Sequence, residues 1–156
     1  MSAVGLWLMK SEPDTFSIDD LKKKSVAGWD GVRNYQARNF MREMRVGDKV
    51  LFYHSNAKPP GIAGLAEVAK SAYPDPTQFD SKADHYDFKA APDKPIWFQV
   101  DVRFVQKFTR LLSLDELRGI AALSDMLLFR RSRLSVQPVS AAQWQVIVRR
   151  AGSLPA

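Results

Sequence analysis

The sequence predicts an α+β domain built as a strongly curved, partly closed mixed β-barrel with several short helices at its ends. Three observations predict it. Short apolar or alternating segments recur along the chain, separated by irregular spacers rather than by the regular helices of a doubly wound sheet. Capping signals open short amphipathic helices between and after them. No internal repeat, low-complexity tract or interdomain linker divides the 156 residues. Residues 1–156 therefore read as one domain, long enough to bury a core.

The elements follow in order. Residues 6–10 are a short apolar strand stopped by Pro13, with Trp7 and Met9 on one face and Leu6 and Leu8 on the other. Ser17 caps a helix whose first turn carries Asp19 and Asp20. The turn at Gly28-Trp29-Asp30-Gly31 leads to a helix over about 36–44, with Ala37, Phe40, Met41 and Met44 at helical spacing. Gly47-Asp48 breaks it. Residues 49–55 are apolar on both faces and predict a central strand. A short loop joins it to a strand over 62–69, most simply as an antiparallel pair. A long polar excursion runs from Tyr73 to about Lys94, with a helical turn near Phe79. Residues 95–106 alternate, placing Ile96, Phe98, Val100, Val102 and Phe104 on a core face and Trp97, Gln99, Asp101, Arg103 and Val105 on a largely polar one. Ser113 and Glu116 form a capping-box pattern before a short helix, and 124–129 predict another. Residues 133–139 run from a loop into a short extended piece. Ser140 and Gln143 cap a last helix that places Trp144, Ile147 and Val148 on one face. Residues 152–156 read as a tail.

Composition narrows the function classes. Hydrophobic residues make up 46% and charged residues 26%, ordinary globular usage. The absence of cysteine excludes disulfides, thiolate metal sites and cysteine nucleophiles. The N-terminus has neither a basic start nor a long apolar run, and no stretch approaches the ~20 apolar residues that span a bilayer. The expectation is a cytoplasmic monomer. A net charge of +6 suggests a polyanionic partner, nucleic acid being the commonest. The lysines at 22–24 and the arginines at 130, 131 and 133 are short runs better read as solvated faces.

Catalytic and metal signals are weak. His54 and Ser55 are neighbours on a strand, so their side chains point to opposite faces and cannot form a nucleophile–base pair. Asp80, Asp84, His85 and Asp87 loosely suggest a metal site, but such groups in a solvated loop usually bind nothing. No P-loop, dinucleotide fingerprint or zinc-protease helix occurs, and no motif calls for a cofactor or a metal. Asp30, His54 and Asp101 are the candidates for an acid or base if the chain is an enzyme acting on nucleic acid or a nucleotide. An adaptor for a protein or small ligand is the third class.

Binding signals are stronger. A flipped or single-stranded base needs a flat apolar wall and hydrogen-bonding groups at its edge. Trp7 with Lys10 and Ser11, Trp29 with Asp30, and Tyr53 with Ser55 and Asn56 supply that mixture. Each tryptophan can instead anchor the core, which is the better reading for Trp144 on its amphipathic helix. Asn34, between Arg33 and Tyr35, offers paired donor and acceptor groups to a base edge; it equally suits a helix N-cap. Arg33 has the alternative of pairing with a carboxylate inside the fold.

The segments also carry a resemblance. Trp7-Leu8-Met9-Lys10-Ser11-Glu12-Pro13 resembles the opening motif of the EVE family, and Trp29-Asp30-Gly31-Val32-Arg33-Asn34-Tyr35-Gln36-Ala37-Arg38-Asn39 its central signature. Gly47-Asp48 with Phe52-Tyr53-His54-Ser55-Asn56, then Gly61-Ile62-Ala63-Gly64 and Tyr73-Pro74-Asp75, match later blocks in order. Trp97-Phe98, Val100-Asp101-Val102 and Arg133-Leu134-Ser135-Val136 complete the series, so the likeness spans about 6–148. It implies a PUA-like barrel related to YTH domains, which recognise a methylated base in an aromatic cage. It also implies recognition of modified cytosine or another modified base in DNA or RNA, by a module that is not an enzyme. The implied pocket takes Trp7, Lys10 and Ser11 from the first block, Trp29, Arg33, Asn34 and Tyr35 from the second, and Tyr53, His54 and Ser55 from the third, with Leu134 and Ser135 closing it. Without a basic N-terminal arm, the chain resembles the compact bacterial form of the family.

Overall fold

The structure, a computed structural model, describes residues 4–152. Its first strand, β1 (Leu6–Ser11), is followed by α1 (Ile18–Lys24), β2 (Val26–Gly28), α2 (Tyr35–Glu43), β3 (Lys49–His54) and β4 (Gly61–Pro74). A 3₁₀ turn at Pro76–Phe79 precedes β5 (Phe98–Ser113) and α3 (Leu114–Arg118). A second 3₁₀ turn at Ala121–Leu123 precedes α4 (Leu127–Arg130), β6 (Val136–Pro138) and α5 (Ala141–Gly152). The strands form one mixed sheet in the order β2-β5-β4-β3-β1-β6. β1 and β3 are parallel, while β3–β4, β4–β5, β5–β2 and β1–β6 are antiparallel. Edge strands β2 and β6 do not pair with each other, so the barrel is only partly closed. β3 is internal, as its two apolar faces require.

Local chemistry explains the helix starts. Ser17 accepts from the Asp20 N–H while the Asp20 carboxylate accepts from the Ser17 N–H, a complete capping box. Ser140 and Gln143 make the same reciprocal pair before α5. Ser113 accepts from the Glu116 N–H at the start of α3. Asn34 is the N-cap of α2, its Oδ1 accepting from the Ala37 N–H.

Alternation along the strands divides the core in two. Trp7 and Met9 of β1 pack with Val50 and Phe52 of β3, with Ile18 and Leu21 of α1, and with Ala37 and Met41 of α2. Leu8 packs on the opposite face with Leu51 and Tyr53, under Leu117, Leu128, Trp144 and Ile147 from α3, α4 and α5. β5 serves both cores. Val100 and Val102 face the first, Phe108 and Leu112 the second. A bulge explains the switch: Ala66 pairs with Phe104 but Leu65 with Gln106, so one extra residue reverses the side-chain phase.

Several expectations need correction. β4 does not stop at 69 but continues to Pro74 through further bulges against β5. β5 starts at Phe98 rather than Pro95, because the Ile96 and Trp97 amides donate to the Gln78 side chain instead of a neighbouring strand. It then runs to Ser113 rather than Gln106, paired with the start of β4. Its expected polar face is covered where Trp97 and Gln99 stand, at 5% and 6% exposure. β2 was not expected, and of the helix placed at 124–129 only the shorter α4 from Leu127 is helical, 124–125 being a turn after the 3₁₀ segment Ala121–Leu123. The expected tail lies outside the described residues from 153 onward. Among the described residues no helix is long and apolar enough to cross a membrane.

Candidate functional site

A cavity of about 440 Å³ opens where β1, the turn before α1 and the Trp29 turn meet. This lies within the ~300–1,000 Å³ range of small-molecule sites. β1 contributes Lys10 and Ser11, the following turn Thr15 and Phe16, and the end of α1 Lys24. Ala27 and Gly28 of β2 lead into Trp29, Asp30, Gly31, Val32 and Arg33, which form the longest wall. His85 and Ser135 close it from two distant loops.

The aromatic wall is braced from behind. The Trp29 N–H donates to the Val100 carbonyl, continuing the β2–β5 pairing by one residue. Its ring meets Phe52 edge-on, centroids 5.3 Å apart at 80°, and Phe52 also meets Phe16 at 6.5 Å. Ser11 Oγ donates to the Phe16 carbonyl at 2.6 Å and holds that turn against β1.

The second wall depends on Arg33 and Asp75. Asp75 is fully buried and accepts from the Gly31 N–H, Arg33 Nη1, the Thr77 N–H and Thr77 Oγ1. Burial alone would raise its carboxyl; the hydrogen bonds from Thr77, Gly31 and Arg33 outweigh that and hold it below the usual carboxylate range. Arg33 spends its remaining donors on Thr77 Oγ1 and on the Val32 and His85 carbonyls. That anchorage draws the His85 segment to the cavity. Gly31 permits it, with φ +79° and the His85 ring so close that a Cβ would meet it at 2.8 Å. Gln78, also fully buried, ties the same segment by donating to the Asp75 and Trp97 carbonyls.

Two lysines line the cavity beside Arg33. Lys24 is exposed in the last turn of α1. Lys10 is half-buried, donates from Nζ to the Ser132 carbonyl at 2.7 Å, and has its pKa lowered by burial. The side chains of Thr15, Asp30, His85 and Ser135 make no hydrogen bond with the described residues, which leaves donors and acceptors open to a ligand. Asp80, Asp84, His85 and Asp87 do not gather; among the described residues no three such groups are placed to hold a metal ion. Asp87 instead accepts the Trp97 indole N–H.

An EVE domain profile matches residues 5–150. The chain belongs to the EVE domain family. It is 48% identical to thymocyte nuclear protein 1 of Danio rerio, over 91% of this chain and 70% of that protein. A hypothetical protein from Leishmania major superposes with a TM-score of 0.94 at 53% identity, covering 96% of each chain. The human THYN1 protein, in a crystal structure with 5-methylcytosine containing DNA, superposes with a TM-score of 0.93 at 44% identity. That match covers 97% of this chain and 99% of the human one. The mixed sheet with short helices is the PUA-like architecture of these structures.

In this EVE domain the motif residues separate in space. Lys10, Ser11, Trp29, Arg33 and Ser135 come together at the cavity. Trp7 and Leu134 are buried in the first core, with the Trp7 indole N–H donating to Asp48 at 2.9 Å. Tyr53 lies in the second core, under the Lys10 ammonium at 5.7 Å from its ring centre. Asn34 caps α2, and Tyr35 stacks on Trp97 outside the cavity. His54 turns to α1, where Nε2 accepts from the Ile18 N–H at 3.1 Å. The Ser55 N–H donates to the Ser11 carbonyl and extends the β1–β3 pairing. Phe16, Thr15, Lys24, Gly31 and His85 line the cavity without having been singled out for a base pocket. Gly31 had a visible signal, a glycine after Asp30 in a turn. His85 had none.

Proposed function

We propose that this EVE domain is a non-enzymatic reader that takes a modified base of DNA or RNA, flipped from its strand, into the cavity between Lys10 and Trp29. The observation that carries the reading is the cavity's composition. Trp29 and Phe16 form its apolar body, and Asp30, Thr15, Ser135 and His85 offer open polar groups. Lys10 and Lys24 line it as well. Base recognition requires that combination: a stacking surface, edge hydrogen bonds and cations for phosphate. A human member of the same fold in complex with 5-methylcytosine containing DNA supports it further.

A binder is favoured over a catalyst by where the candidate acids and bases stand. His54 is outside the cavity with Nε2 engaged by Ile18. Asp101 accepts from the Tyr73 hydroxyl at 2.5 Å on β5, the strand paired with β2. Asp30 alone of the three reaches the cavity.

The test is a titration of duplex and single-stranded oligonucleotides carrying 5-methylcytosine, 5-hydroxymethylcytosine or N6-methyladenine against plain controls. Tighter binding of one modified form is expected. Equal, weak binding to all of them would sink base reading and leave a salt-dependent phosphate binder. Incubation with the same nucleic acids and a divalent metal, followed by mass spectrometry, is expected to show no new product.

A further inference from the structure

We propose that the outer face of α2 is a second nucleic-acid contact, a stacking and phosphate platform for the nucleotides that flank the flipped base. This rests on the reading of the cavity above. Tyr35 opens α2 and is 60% exposed. Its ring stacks on the Trp97 indole, with centroids 4.9 Å apart at 29°. The Arg38 guanidinium stands 4.9 Å from the Tyr35 ring centre and 5.9 Å from that of Trp97. One turn further on, Arg42 stands 4.6 Å from the ring centre of Phe98. Arg33 starts the row, 5.4 Å from Trp97, and is itself part of the cavity wall. An arginine–aromatic row therefore begins at the cavity and continues along the helix.

Trp97 is 5% exposed beneath this row, whereas the Tyr35 ring resting on it is open to solvent. The stack is held in advance of any ligand. Arg38 donates to the Ile96 carbonyl and to Asn39 Oδ1, and the Trp97 indole N–H is fixed by Asp87. An aromatic so fixed presents its area at small entropic cost. Every base has a π-face to lay on such a ring, and guanidinium groups match phosphate oxygens. Arg42 has neither a hydrogen bond nor an ion pair among the described residues, so its donors are available. Arg33 belongs both to the cavity wall and to this row, so a strand leaving the cavity past it would run onto the row.

The experiment compares short oligonucleotides centred on the modified base with ones extended on either side, by fluorescence anisotropy at several salt concentrations. Extension on one side is expected to tighten binding to the wild type. Tyr35→Ala is expected to weaken binding of extended oligonucleotides about tenfold, modified and plain alike, with the preference ratio unchanged. Tyr35→Phe is expected to retain affinity, which separates stacking from misfolding. Arg42→Ala is expected to lower the salt slope by about one. Unchanged affinity and salt slope in both Tyr35→Ala and Arg42→Ala, with the wild-type preference intact, would overturn the platform. A wild type without base preference that still loses tenfold on Tyr35→Ala would overturn the cavity reading and keep the platform.

Discussion

The two faces of the sheet are covered by different means. One is closed by helices whose buried positions are apolar: Leu117 of α3, Leu128 of α4, and Trp144 and Ile147 of α5. The other is only partly covered by helices. Beside α1 and α2 its cover is irregular chain, the Trp29–Arg33 turn and the segment after β4, pinned by the buried side chains of Asp75 and Gln78. The cavity opens on this second face. Helices with apolar stripes fill the space over a sheet, because their side chains interdigitate with it. Irregular chain exposes its own amides and carbonyls, needs partners for them, and leaves room between its anchor points.

The largest expected effect tests the filled face. Trp144 is 7% exposed in the second core. Trp144→Ala is expected to cost about 3–5 kcal/mol, read by chemical denaturation. Nucleic-acid preference measured below the transition should not change, since the indole is on the far side of the sheet from the cavity. A lost preference in a folded variant would mean that the two faces are coupled rather than independent.

The next effect tests the pinned face. Asp75→Asn keeps the shape but replaces an acceptor of four hydrogen bonds by a half-donor, leaving Arg33 without its buried countercharge. A loss of about 3 kcal/mol is expected. Unlike Trp144→Ala, it should also speed proteolytic cleavage between 80 and 94 and weaken base preference, because His85 and Gly31 lose their common anchor. Destabilisation without either change would show that the segment is held by its remaining contacts.

The same contrast explains what the sequence revealed. Ser17, Asn34, Ser113 and Ser140 were readable as caps because a cap is made with a residue three positions away. Alternation in β1 correctly sent Trp7 and Met9 to one face and Leu8 to the other. The pinned face was not readable, because its decisive partners are distant in sequence. Trp7 and Trp29 look alike in composition, yet Trp7 is withdrawn by Asp48, 41 positions away. His85 reaches the cavity because Arg33 takes its carbonyl from 52 positions away. The three residues of β2 form a strand only where Val102 and its neighbours pair with them. Reading the 73–94 stretch as a surface excursion missed Asp75 and Gln78, which tie it inward.

Gly31 permits a smaller and more local perturbation. Its φ of +79° and its contact with the His85 ring leave no comfortable place for a methyl group. Gly31→Ala is expected to cost about 1–2 kcal/mol, since an L-residue is strained there. Pushing His85 outward should weaken binding of the modified oligonucleotide more than of the plain one. Equal weakening of both would assign His85 to the strand rather than to the base.

The smallest effect is a pH dependence at the junction of the two regions. His54 ends β3 with Nε2 accepting from the Ile18 N–H, the first residue of α1, so the native ring is neutral with its proton on Nδ1. Burial pushes its pKa below the ordinary histidine value; Asp19 opposes the shift and Lys107 adds to it. The unfolded chain therefore takes up a proton first as the pH falls. Stability is complete above about pH 6.5, the unfolded value, and declines below it until the folded ring is protonated as well. Melting temperatures measured between pH 7.5 and 5 should fall in that direction for the wild type. His54→Gln should start lower, having lost the ring contact with Phe52, and vary less over the same range. An equal pH dependence in His54→Gln would move its source away from the β3–α1 junction and leave His54 a packing residue only.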